Sequence, residues 1–193
     1  MQFPDVTLQL PDWVGSFCER WEGGFAQERD RAAFVTALSR ENVRQQTGGP
    51  FAAAVFDPAI GMLIAPGVNL VVPASCSVAH AEMVALAVAQ QVMGTHDLGA
   101  EGLPGLELVS STEPCAMCLG AVPWSGVRRL VCCARGEDAE AIGMDEGEKP
   151  ANWPEGLERR GIAVVRDVCR TVAAAVLREY GEAGGPIYNG RGV

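Results

Sequence analysis

Ala79-His80-Ala81-Glu82 and Glu113-Pro114-Cys115-Ala116-Met117-Cys118 are the two stretches on which the reading of this 193-residue chain turns. One imidazole and two thiolates form a donor set that suits zinc, and they leave the fourth tetrahedral position open. A structural zinc would close that position with another Cys or His. The sequence has no second CxxC pair, and its only other histidine, His96, falls in a polar loop and reads as a surface residue. An open position suits a water whose pKa the metal lowers. Glu82, two residues after His80, is close enough to exchange protons with such a water. Taken singly, the parts have blander readings: a lone CxxC is redox-active or merely buried, and a lone His on an apolar helix is a core residue. Both halves together, in this order and with Pro114 before the first Cys, favour metal catalysis over a structural zinc.

The segments around these stretches place them on helices that follow strands. Residues from about Asp30 to Gln46 repeat apolar side chains at helical spacing, and Thr47-Gly48-Gly49 ends that helix. Phe51 to Phe56 is an apolar run too short for a typical helix and predicts a buried strand. A turn at Asp57-Pro58-Ala59-Ile60-Gly61 leads into an antiparallel partner over Met62–Val72, interrupted by Ala65-Pro66-Gly67, with Asn69 inside it. Ser77 or Ser75 can cap a helix from about Val78 to Met93, stopped by Gly94. That helix would hold His80 and Glu82 in its first turn, where the partial positive charge of the N-terminus helps keep Glu82 ionised. Leu106 to Thr112 predicts a third strand running into Pro114. Cys115 and Cys118 then share one helical face, at an N-terminus that lowers thiol pKa.

Val127 to Ala134 predicts a fourth strand, with Cys132 and Cys133 on opposite faces as small core residues. Residues 136–155 suit an acidic surface loop with one short helix. Ile162–Val165 predicts a fifth strand, and Asp167 to Tyr180 a last helix ended by Gly181. Strands alternating with helices, without a linker or repeat, predict one α/β domain over residues 1–193 with a mixed sheet of about five strands. Residues 1–28 form an extension that pads either a core edge or a subunit contact, and 181–193 form a tail.

Bulk properties narrow the partners. A net charge of −9 repels phosphate backbones, so a broad nucleic-acid footprint is not expected. No apolar run approaches the roughly 18 residues of a membrane span. Met1-Gln2-Phe3-Pro4-Asp5 lacks the basic and apolar regions of an export signal, and seven cysteines is an odd number, which together predict a cytoplasmic protein with reduced thiols.

The order H-x-E followed by P-C-x-x-C resembles the zinc-dependent nucleobase deaminases of the cytidine deaminase-like superfamily. Further segments are similar to the bacterial guanine deaminases and their guanine/ammeline branch: Gly49-Pro50-Phe51-Ala52-Ala53-Ala54-Val55, Pro123-Trp124-Ser125-Gly126-Val127, Ala141-Ile142-Gly143-Met144-Asp145-Glu146-Gly147 and Ile187-Tyr188-Asn189. The resemblance implies a three-layer α/β/α sandwich. It makes His80, Cys115 and Cys118 the zinc ligands, Glu82 the proton shuttle and Asn69 a substrate-binding residue. It places Phe51 and Trp124 on aromatic walls of the pocket, and Asp145 or Glu146 as a second acid in it. It further implies hydrolysis of guanine to xanthine and ammonia, with ammeline as a second substrate, and a homodimer in which the C-terminal tail often crosses between subunits. A tRNA adenosine deaminase shares the zinc motif but needs a basic docking surface. A noncatalytic zinc-binding protein has no need of Glu82.

Overall fold

The computed structural model describes residues 1–190. Five strands, β1 (Ala52–Asp57), β2 (Met62–Val68), β3 (Glu107–Thr112), β4 (Arg129–Ala134) and β5 (Ala163–Val165), form one sheet in the order β2-β1-β3-β4-β5. β1 runs antiparallel to β2 and β3, whereas β3, β4 and β5 are parallel, so the sheet is mixed as expected. Every residue of β1 and β3 is buried, because helices cover both faces of the sheet.

Side-chain alternation on β1 shows the layers. Ala53 and Val55 pack with residues of α3 (Ala81–Met93), α4 (Ala116–Ser125) and α6 (Trp153–Glu158). Ala52, Ala54 and Phe56 face α1 (Asp12–Glu19) and α2 (Glu28–Arg44). Cys132 and Cys133 on β4 divide in the same way, Cys133 packing with α5 (Gly136–Glu140) and α7 (Arg170–Glu182). The result is the α/β/α sandwich.

Several boundaries depart from the sequence expectation. Residues 1–28 include a helix, α1, and they pad a core edge. Phe17 and Trp21 lie 5.7 and 5.3 Å from the Phe34 ring, and Phe25 lies 5.2 Å from Phe56. Ala65-Pro66-Gly67 does not interrupt β2, whose pairing with β1 runs through all three residues, and the irregularity falls instead opposite Val55/Phe56. β2 is an edge strand, where a proline without an N–H is tolerated. The strand stops at Val68, so Asn69 begins the following loop. The acidic segment after β4 holds two short helices, not one, and α7 runs through Gly181 to Glu182.

One end of β3 carries a buried charge cluster. Arg31 donates to Glu107, which also accepts from Arg129, which in turn reaches Glu28. The paired Glu107 is fully buried there, far along the strand from its other end, which leads into Pro114 and the cysteines.

Candidate active site

Two helix N-termini converge on the site. His80 is the N-cap of α3, not a residue of its first turn as the sequence suggested, and Cys115 is the N-cap of α4. Both have extended backbones, which turns their side chains out beyond the first helical turn while their carbonyls accept from Val84 and Leu119. Glu82 falls in the first turn of α3 and Cys118 in that of α4. Gly94 and Gly126 close the two helices in the left-handed conformation, as expected.

The ligating atoms of His80, Cys115 and Cys118 all lie within 4.8 Å of one another, and Cys115 Sγ is 3.5 Å from His80 Nδ1. A hydrogen bond from Cys118 lowers the Cys115 thiol to about 4, and the same bond, with burial, pushes Cys118 up. Contact with the Cys115 sulfur raises the His80 imidazole despite its burial. Two sulfurs and a nitrogen, gathered at two positive helix ends, fit zinc and leave a position for a fourth ligand.

Glu82 is buried, and that burial is the main cause that raises its carboxyl above the usual range. Its Oε1 accepts a 3.1 Å hydrogen bond from Ser110 Oγ on β3. Nothing in the sequence marked Ser110, because a serine in a strand reads the same on a wet face as beside a buried carboxylate.

A cavity of about 970 Å³ opens over this group, at the upper end for small-molecule sites. Phe51, Asn69, His80, Glu82, Cys115, Asp145 and Glu146 all line it. The structure separates the two acids that the sequence left open. Asp145 is exposed and turns back to accept from the Gly147 N–H at 2.9 Å. Glu146 is buried, and burial raises its carboxyl to about 7, with the Lys149 ammonium opposing. Gly147 follows at φ 68°, which gives the chain its sharp turn there.

Lys149, the only lysine among fifteen basic residues, is partly buried against this loop. Its Nζ donates to the Pro114 carbonyl at 3.2 Å and lies 3.5 Å from Glu146 Oε2. It thereby ties the acidic loop to the cysteine turn. The rarity of lysine was the available signal, and composition alone gave it no meaning.

Trp124 does not join the cavity. It stands 86% exposed near the end of α4, where it cannot form an aromatic wall for its own chain. Within the single chain, the C-terminal tail lies along the cavity. Tyr180 Oη donates to Pro186 O, Asn189 bridges Gly143 O and Asp145 N, and Gly184, Gly185, Pro186, Tyr188 and Gly190 line the wall. The rest of the tail, 191–193, lies outside the described residues.

Comparison with known proteins agrees with this geometry. Residues 27–134 match the cytidine and deoxycytidylate deaminase zinc-binding region, a span that contains His80, Cys115 and Cys118. The chain is 35% identical over 123 residues to the guanine deaminase of Bacillus subtilis, covering 61% of this chain and 74% of that one. The solved structure of guanine deaminase from Nitrosomonas europaea is 50% identical, with a TM-score of 0.86 over 94% of this chain and 100% of that one. A solved complex with 2,6-diaminopurine is 51% identical, with a TM-score of 0.88 over 96% of this chain and 97% of that one. The chain belongs to the zinc-binding cytidine and deoxycytidylate deaminase family and is a zinc-dependent deaminase.

Proposed function

We propose that the protein hydrolyses the free base guanine to xanthine and ammonia, with ammeline as a second substrate. The observation that carries this reading is the joint placement of Phe51, Asn69, Glu82 and Glu146 around one cavity beside the His80–Cys115–Cys118 group. Likeness to guanine deaminases over nearly the whole chain supports it.

When bound by His80, Cys115 and Cys118, zinc supplies a water acidic enough to lose a proton near neutral pH. Glu82 is the group placed to take that proton, with Oε1 oriented by Ser110. The same carboxyl gives that proton to the ring nitrogen beside C2 of guanine as the water oxygen bonds to C2, then carries the remaining proton of the new C2 hydroxyl to the amino nitrogen, so that the C–N bond breaks, ammonia leaves and the C2 carbonyl of xanthine forms. Phe51 offers a flat apolar wall for a stacked base. Asn69 and Glu146 supply polar groups for its edge, and a slot built on such pairs rejects rings that leave them unmatched. Tyr180 and residues of the tail from Gly184 to Gly190 form part of the cavity wall. At equal concentration, guanine should therefore release ammonia faster than guanosine, adenine, cytosine or cytidine. Faster turnover of any of these four than of guanine would move the chain to another branch of the family.

We further infer a homodimer in the cytoplasm. Met117, Gly120 and Trp124 are exposed at i, i+3 and i+7 of α4 with Ala121 half-buried between them, an apolar helical stripe that a second copy would cover. None of the seven cysteines is paired, in keeping with a reducing compartment. No helix among the described residues is long and apolar enough to cross a membrane. Light scattering should give twice the chain mass for the wild type and the chain mass for Trp124→Asp. A wild-type mass equal to one chain would end this reading of the stripe.

A further inference from the structure

We propose that the N-terminal helix α1 and the buried Asn42 position the substrate-binding Asn69 through a directed chain of hydrogen bonds, so that the extension helps set affinity for the base. Trp13 Nε1 donates to Thr47 Oγ1 at 2.9 Å, and Thr47 Oγ1 donates to Asn42 Oδ1 at 2.7 Å. Asn42 Nδ2 then donates to the Gly49 carbonyl at 2.9 Å and to the Asn69 carbonyl at 3.2 Å. The direction is forced. An indole N–H can only donate, so the threonine hydroxyl accepts there and gives its own proton to Asn42. Two carbonyls can only accept, so the amide nitrogen of Asn42 must face them. No flipped arrangement satisfies all four groups.

The last link reaches the cavity. Asn69 Oδ1 accepts from the N–H groups of Gly49 and Val71, both at 3.4 Å, which leaves its amide nitrogen for a ligand in the space that Asn69 lines. Asn42 thus holds both Gly49 and Asn69 through their carbonyls, and Gly49 in turn holds the Asn69 side chain. Gly48 completes the fit, since a Cβ there would sit 1.8 Å from the Asn69 carbonyl oxygen and 2.8 Å from Asn42 Nδ2. Asn42 is fully buried and sits on α2, which α1 covers with Val14 and Phe17. A buried amide so placed costs stability unless each of its groups is paired, and its pairs lie between the extension and the loop after β2. Asn42 and Thr47 touch no substrate in this arrangement and are positioning residues.

The inference rests on the reading of Asn69 as a substrate contact, and a mutant cycle separates the two. Thr47→Val keeps the shape of the side chain but removes the hydroxyl that joins Trp13 to Asn42. Its KM for guanine should rise about fivefold to tenfold, the scale of one lost hydrogen bond, with kcat within about twofold of wild type on that estimate and zinc content unchanged. Thr47→Ser, which keeps the hydroxyl, should restore KM. Trp13→Phe, which keeps a ring against Phe17, should shift KM in the same direction as Thr47→Val. In an Asn69→Ala background the Thr47→Val effect should vanish, because the group being aimed is gone. An unchanged KM in Thr47→Val and Trp13→Phe, or an effect that persists in full without the Asn69 side chain, overturns the inference. An unchanged KM in Asn69→Ala alone overturns instead the role of Asn69.

Discussion

Glu82→Gln should leave a folded protein with its full complement of zinc and at least about a hundredfold less activity, the usual scale for loss of a general acid–base. The amide keeps the size of the side chain and can still meet Ser110 Oγ, so packing in the first turn of α3 is preserved. It cannot accept a proton from water and hand it back to the ring. The proposed ligands His80, Cys115 and Cys118 are untouched, so metal analysis and the thermal transition serve as internal controls. Near-normal turnover of guanine by this variant would remove Glu82 from the mechanism.

Gly67→Ala should be the most damaging single methyl group that β2 can receive. A Cβ at Gly67 would lie 2.4 Å from both the Ala81 carbonyl oxygen and the Ala85 nitrogen, and 2.8 Å from Ala85 Cα. All three are backbone atoms of α3, which cannot swing aside as a side-chain end could. The helix must move away from the strand, at roughly 1–3 kcal/mol for overpacking. For a chain of this size that lowers Tm by about 2–12 °C. The greater loss should be in rate, because α3 carries His80 and Glu82, and a displacement near 1 Å costs about a hundredfold in such constellations. Gly15→Ala is the control, since a Cβ there meets nothing within 4 Å and α1 gains a better helix former. An unaltered Tm and rate in Gly67→Ala would mean that β2 and α3 do not need their close approach.

The metal group was legible in the sequence because its chemistry restricts residue type and spacing together. Few side chains other than His and Cys suit zinc, and neither half of the pattern can shift without leaving its helix end. The five strands were legible from their apolar runs. What failed did so where register or a second element decides. Pro66 and Gly67 look like a break in any strand, yet an edge strand tolerates the first, and the approach of α3 requires the second. His80 reads as helical from its neighbours, although its backbone is extended so that the imidazole can leave the helix axis. Trp124 shares a segment with residues of the same helix that do bury themselves, and no periodicity tells which of its faces lacks a partner. Ser110, Asn42 and Lys149 carry no motif. Each became visible only when distant segments met: β3 with α3, α2 with the loop after β2, and the acidic loop with the cysteine turn.

The burial of Lys149 gives the protein a built-in chemical reporter. Its ε-amine is the chain's single lysine amine, with a side chain only 13% exposed and folded beneath the loop that carries Glu146. Acetic anhydride or an N-hydroxysuccinimide ester would react with that nitrogen faster while its hydrogen bond to the Pro114 carbonyl is broken. The rate at which Lys149 acylates therefore rises with how often this side of the pocket opens, with no residue engineered into the chain.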